Sequence, residues 1–206
     1  MDTGDVALAA DASAAPRGIT PSQTAGPYLS LGMEPHCAGH GIPSGIQGAI
    51  TVRGRVLDGE GVPVPDALVE TWQADPDGRF DHPDDPRGAV RRHPAFCLLG
   101  RCPTGPGGRW SITTLRPRPV PGPDATTQAP HLDVSVFARG LLHRVVTRIY
   151  LPEEAGLVGA GGHARDPVLS TLPPARRNTL IARATAAGYQ FDIRLQGQDE
   201  TVFFDV

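Results

Sequence analysis

"HLDVSVFARGLLHRVVTRIYL", residues 131–151, decides how this chain folds. Its first eight residues alternate, so Leu132, Val134 and Val136 leave one face of a strand and His131 and Asp133 the other. A second strand-forming run, 143–151, follows after only "RGLL", a connection short enough to make the two strands an antiparallel hairpin. Working outward, 49–58, 67–75 and 108–115 read as further strands bounded by Gly- and Pro-containing turns. Toward the end, 189–197 and 201–206 flank "QDE" and predict a second hairpin. One helix is expected near 170–187, where prolines come early and Leu180, Ile181 and Ala184 follow at helical spacing. The fold expected is a mainly β, antiparallel sandwich with long loops and a short late helix.

Composition agrees. The 206 residues fit one domain, 1–19 being an Ala-rich flexible arm and 20–206 the sandwich. Glycine (25) and proline (22) together approach a quarter of the chain, which suits short strands and many turns. A net charge of −3 points away from nucleic acid and from acidic membrane surfaces. Neither a membrane-spanning apolar run nor a signal-peptide pattern is present, and Cys37, Cys97 and Cys102 read as reduced thiols, so the expected location is the cytoplasm.

His131 and Asp133 have the spacing of two ligands on one sheet face, able to offer an imidazole nitrogen and a carboxylate to iron or zinc. The other reading is a His–Asp hydrogen bond, or a salt bridge to a neighbouring arginine. His36, His40, His82, His93, His143 and His163 fall in loops and turns with no shared face. Trp72 and Trp110 read as core residues. "TPSQTAGPY" (20–28) should be stiff and extended, an arm held against the sheet or against another chain. Arg139, followed by Gly140 at a strand end, reads either as a surface arginine or as a guanidinium projecting into a cleft toward a carboxylate.

"TWQADPDGRF" (71–80), "TLRPRPVPG" (114–122), "APHLDVSVFARG" (129–140) and "YQFDIRLQGQDETVFFDV" (189–206) occur in that order, behind "TPSQTAGPY". Together they resemble the intradiol ring-cleaving dioxygenases, over roughly 20–206 with weaker support in 32–47 and 81–107. The resemblance implies a β-sandwich and a non-haem ferric ion held by two tyrosinates and two histidines. The matching positions here are Phe80, Val120, His131 and Asp133, and the first two carry no donor atom. The resemblance therefore implies a chain that binds no metal itself, working beside an iron-bearing β subunit in a hetero-oligomer that cleaves a carboxylated catechol with O2. It also implies that Arg139, Thr24, Gly26 and Pro27 border the substrate, with 20–28 reaching the partner. The competing classes are a non-catalytic β-sandwich that assembles or binds, and a metalloenzyme with a divergent site.

Overall fold

The computed structural model describes residues 23–24, 46–89, 96–152 and 166–205. The arm 1–19, most of 20–28, Cys37 and four of the loop histidines (36, 40, 93, 163) lie outside them.

Two sheets face each other. One is four-stranded in the order β3 (Leu99–Pro103), β2 (Leu68–Gln73), β7 (His131–Phe137), β8 (Val145–Tyr150), antiparallel throughout. The other centres on β1 (Ala49–Leu57). It pairs antiparallel with β4 (Arg109–Leu115) on one edge and parallel with β10 (Gly188–Gln190) and β11 (Ile193–Arg194) on the other. β9 (Arg183–Thr185) extends it beyond β10. A ribbon of β5 (Val120–Pro121) and β6 (Thr127–Gln128) stands apart.

Alternation along each strand sorts side chains to the inside or the outside of the sandwich. Val52 and Val56 of β1, Trp110 and Ile112 of β4, Val69 of β2, Val134 and Val136 of β7 and Ile149 of β8 form one buried cluster between the sheets. Each such aliphatic side chain contributes about 1.5–3 kcal/mol through burial. The opposite face of β7 carries His131, Asp133 and Ser135, so the candidate ligands lie on the outer surface of the four-stranded sheet.

The hairpin 131–151 forms as expected, with Val136 opposite Val145 and His131 opposite Tyr150. Three expectations are corrected. The helix over 170–187 is two short helices, α1 (Pro167–Thr171) and α2 (Pro174–Arg177), followed by a single 3-10 turn over 178–180. Pro173 and Pro174 interrupt the first helix, and from Ile181 the chain is extended, bridging Tyr150 before entering β9. The hairpin of 189–197 with 201–206 is also absent. Although Thr201 N–H still bonds to Arg194 O, the chain then leaves for the other sheet, where Phe204 N–H bonds to Val146 O at 2.8 Å and Thr147 Oγ1 donates to Val202 O. β8 otherwise exposes its outer edge, and the tail covers part of it. Finally, Trp72 points outward and only Trp110 lies in the core. β3 forms in a stretch where the sequence predicts no strand. Among the described residues no helix is long and apolar enough to cross a membrane.

The parallel pairing depends on close backbone approach at Gly54. A Cβ on Gly54 would sit 1.6 Å from the carbonyl oxygen of Phe191, where the chain between β10 and β11 crosses it. Gly54→Ala should therefore force β1 away from 188–195. We expect a loss of about 3 kcal/mol or more in urea unfolding, against a typical cost near 1 kcal/mol for a point substitution.

Candidate functional site

Register places three side chains in a row on the outer face of the four-stranded sheet. Trp72 of β2 is opposite Asp133 of β7, and Asp133 is opposite Arg148 of β8. His131 stands one pair further along β7. Two loops wall this row. In the first, Asp75 Oδ1 accepts from the backbone N–H groups of Asp77 and Arg79, both at 2.8 Å, closing the turn "DPDGR". Gly78 has φ +72°, and a Cβ there would lie 2.6 Å from Pro119 O, so only glycine lets this turn approach the β5 segment. The turn delivers Phe80 onto Trp72, with ring centroids 6.0 Å apart and planes nearly parallel at 3°.

Beyond it, Arg87 donates through Nε and Nη2 to the two oxygens of Asp85, each at 2.9 Å, and through Nη2 to Gly78 O at 2.6 Å. Asp85 Oδ2 also accepts from Phe80 N–H. Its carboxyl is held well below the usual carboxylate range, first by the Arg87 bond and then by the backbone donors, which outweigh its burial. The second wall is the β5–β6 ribbon, which contributes Val120, Pro121 and Gln128.

The cavity between them is open to the surface and has a volume of about 590 Å³. Phe80, Val120, His131 and Asp133, four positions scattered over 54 residues of sequence, all line it. The structure adds residues that sequence reasoning missed: Arg148, Gln128, Asp85, Arg87 and His82. Arg148 Nε donates to Asp133 Oδ1 at 2.8 Å and its Nη1 donates to Gln128 Oε1 at 2.7 Å. Burial alone would raise the Asp133 pKa, but His131 and Arg148 more than offset it and the carboxyl titrates low. His131 is buried, its Nδ1 lies 2.6 Å from Ala129 O, and its Nε2 is 3.7 Å from Asp133 Oδ2. Because a carbonyl only accepts, Nδ1 donates in this contact. Behind Arg148, Tyr150 donates its hydroxyl to Asp166 at 3.2 Å, and burial raises the phenol above its ordinary pKa.

A ferric ion does not fit this set. Phe80 and Val120 offer no electron pair, Asp133 is engaged by a guanidinium, and His131 is left as a single nitrogen ligand. No group of three or more His, Cys, Asp or Glu side chains suited to a metal occurs among the described residues.

The residues expected around a substrate lie elsewhere. Arg139 follows the far end of β7, and six residue steps from His131 to Phe137 put roughly 20 Å between the two ends of that strand. Its Nε edge is paired with Asp66, and its side chain is 62% exposed. Thr24 is brought beside it, since Gly140 N–H donates to Thr24 Oγ1 at 2.9 Å. Gly26 and Pro27 fall outside the described residues. Cys102 is half-buried, with its thiol pKa pushed up by that burial, and Cys97 is likewise half-buried.

The sequence matches the family described as Dioxygenase over residues 36–197. It is 37% identical to the protocatechuate 3,4-dioxygenase alpha chain of Pseudomonas putida, covering 90% of this chain and 96% of that one. Identity to the alpha chain from Burkholderia cepacia is 38%, covering 91% and 97%. With the beta chain of the same enzyme from Burkholderia cepacia it is 38%, but over 74% of this chain and 66% of that one. Among solved structures, the dioxygenase domain of a carbohydrate-binding fusion from Streptomyces sp. SirexAA-E superposes with a TM-score of 0.55 at 24% identity, covering 86% of this chain and 98% of that one. Catechol 1,2-dioxygenase from Acinetobacter sp. ADP1 gives 0.55 at 20% identity, covering 77% and 56%. These two show the fold.

Two outcomes follow from the site's charge pairs. Arg148→Met removes the guanidinium that donates to Asp133 Oδ1 and should cost about 2 kcal/mol in unfolding free energy. Pairing it with Asp133→Leu should recover part of that loss, because no unpaired carboxylate then remains. For Asp85 and Asp133 the folded pKa is below the unfolded one. Their stabilisation is therefore complete above about pH 4 and disappears as pH falls below it. Urea midpoints measured from pH 7 to pH 2.5 should fall on acidification, and Asp85→Asn, weaker at pH 7, should show a shallower fall.

Proposed function

The chain belongs to the intradiol dioxygenase family, and from that premise we propose that it is the α-type subunit of a protocatechuate 3,4-dioxygenase. In this reading it binds no iron and forms part of the substrate pocket of an iron-bearing β subunit. Intradiol dioxygenases are non-haem iron enzymes, and in this reading a β chain would hold the ferric ion that supports ring opening by O2. The complex converts protocatechuate to 3-carboxy-cis,cis-muconate, a step in aromatic catabolism. The observation that carries the proposal is the cavity at the four ligand positions, where two side chains have no donor and a third is committed to Arg148.

What this chain contributes is recognition. Protocatechuate carries a carboxylate, and a guanidinium can hold one through two parallel N–H···O bonds. Asp66 occupies the Nε edge of Arg139, so a substrate would meet the edge formed by the two terminal nitrogens. Asp66 is thus a positioning residue. Thr24, joined to the Arg139–Gly140 turn by its hydrogen bond, fixes the start of the arm beside that guanidinium. Gly26 allows close backbone approach to a ring and Pro27 sets the direction of the chain. The arm 20–28 then reaches the partner, in a higher-order hetero-oligomer located in the cytoplasm. A non-catalytic assembly module on the same fold is the alternative.

Coexpression with a β chain tests the whole reading. We expect a stable complex with iron equal to the β content and activity absent from either chain alone. Stoichiometric iron in this chain alone, or a β chain fully active without it, would overturn the proposal. Within the complex, Arg139→Ala should raise KM for protocatechuate by roughly 10- to 100-fold without changing iron content. Arg139→Lys should rescue in part. Turnover of catechol, which has no carboxylate, should change little, and an equal loss with both substrates would assign Arg139 to the fold or the subunit contact.

A further inference from the structure

Apart from histidine, the 19 basic residues of the chain are all arginine. Five of them leave one surface, the outer face of the sheet centred on β1. Alternation sends Val52 and Val56 into the core, so Arg53 and Arg55 point outward. Cross-strand register then sets Arg109 of β4 directly opposite Arg55, and puts Gln190 of β10 and Arg183 of β9 in line with Arg53. Arg194 of β11 leaves the same face beside the end of β1. Strand spacing keeps the Cα atoms of Arg53, Arg55, Arg109 and Arg183 within roughly 16 Å of one another.

This face lacks counter-charge. Like charges directly opposite in a strand pair are destabilising. None of the five arginines forms an ion pair among the described residues. Arg53 donates to a neutral acceptor, Ala187 O, at 2.6 Å. Asp192, beside Arg55 in the sheet, already accepts through Oδ1 from Arg55 N–H at 2.9 Å and from the Gln190 amide at 2.7 Å.

The complementary charge lies at the margin of the same face. β1 runs directly into the turn that carries Asp58 and Glu60, and β11 leads to the loop that carries Asp199 and Glu200. The two segments touch, since a Cβ on Gly197 would be 3.0 Å from Gly59 O. These four carboxylates likewise form no ion pair among the described residues. A basic and an acidic patch side by side are self-complementary under a two-fold rotation, which sets each patch of one copy on the opposite patch of the other. Guanidinium groups suit such a contact, because their planar fork matches a carboxylate.

We propose that this face joins two copies of the chain, the arginines on β1 and β4 of each receiving the acidic turns of the other. The contact uses neither the cavity over β7 nor Arg139, so it stands or falls separately from the proposed function.

Sedimentation velocity on the full chain tests it. We expect a monomer–dimer equilibrium in about 0.05 M NaCl, with a dissociation constant that rises about tenfold or more by about 0.5 M. The double variant Arg55→Glu with Arg109→Glu should be monomeric, and so should Glu60→Arg with Asp199→Arg. All four positions are exposed, so both variants should melt close to the parent. Mixed in equal amounts, the two variants should dimerise again, because every contact is then opposite in sign. If the chain is obtained only with a β chain, the mass of the complex is read instead, and each variant should lose whole αβ pairs that the mixture regains. A monomeric parent, a dimer that both variants leave intact, or a mixture that stays monomeric overturns the inference. A variant that loses its β chain instead assigns the face to that chain, and overturns it equally.

Discussion

One buried carboxylate ties the site-bearing elements together. Asp166 Oδ1 accepts from the backbone N–H groups of Val168 and Leu169, both at 2.9 Å, and so caps the start of α1. The same oxygen receives the Tyr150 hydroxyl from β8, while Oδ2 accepts from Ala129 N–H at 2.7 Å, just ahead of β7. Four donors on three separate segments therefore converge on one side chain that is 2% exposed. Ala129 in turn orients His131 through its carbonyl, and Tyr150 stands opposite His131 in the sheet. The imidazole, the Arg148 strand and the late helix are placed relative to one another by this carboxylate. Neutral replacements of similar shape would leave some of the four donors weakly paired in a buried setting.

Given that frame, the outer row Trp72–Asp133–Arg148 holds together without a metal. A cation is still present at the centre of the cavity floor, but it belongs to a side chain. Arg148 bonds to Asp133 across the strand pair and reaches Gln128 on the ribbon, joining two walls of the cavity. Phe80 keeps an aromatic ring stacked on Trp72 but has no phenolate oxygen. Val120 closes the ribbon side with an isopropyl group and is nearly buried. The pairings are local and close to neutral, so the side chains of the cavity floor satisfy one another.

How much of this was readable in the sequence depended on whether a contact followed from local pattern. The 131–151 hairpin was legible because its loop is short and its alternation clean, and the family's ligand positions were legible as motifs. The Asp133–Arg148 pair was implicit in the same hairpin: joining 138 to 143 across "RGLL" sets 133 opposite 148, which is the observed register. The outward direction of Trp72 was equally implicit in its alternation with Val69 and Thr71, but its size argued for the core. The tail escaped because whether 201–206 pairs with its neighbour or with β8 depends on which sheet edge is open, a property of the whole sandwich. The Asp85–Arg87 clamp escaped because a Pro- and Asp-rich loop has no periodicity: its length and composition mark a functional loop but not which of its side chains pair.

β7 finally explains why this chain reads as half of a shared site. Its first residues floor the cavity, and Arg139 follows its last residue, roughly 20 Å away along an extended strand. No small aromatic molecule spans that distance, so a ring resting on Trp72 cannot place a carboxylate on Arg139. In the proposed function the exposed guanidinium, paired with Asp66 and close to Thr24, serves a ligand held outside this chain's own cavity. A strand with a cavity at one end and an outward-facing guanidinium at the other suits a subunit of that kind. The separation is set by the strand's rise per residue and is independent of which ligand either end takes.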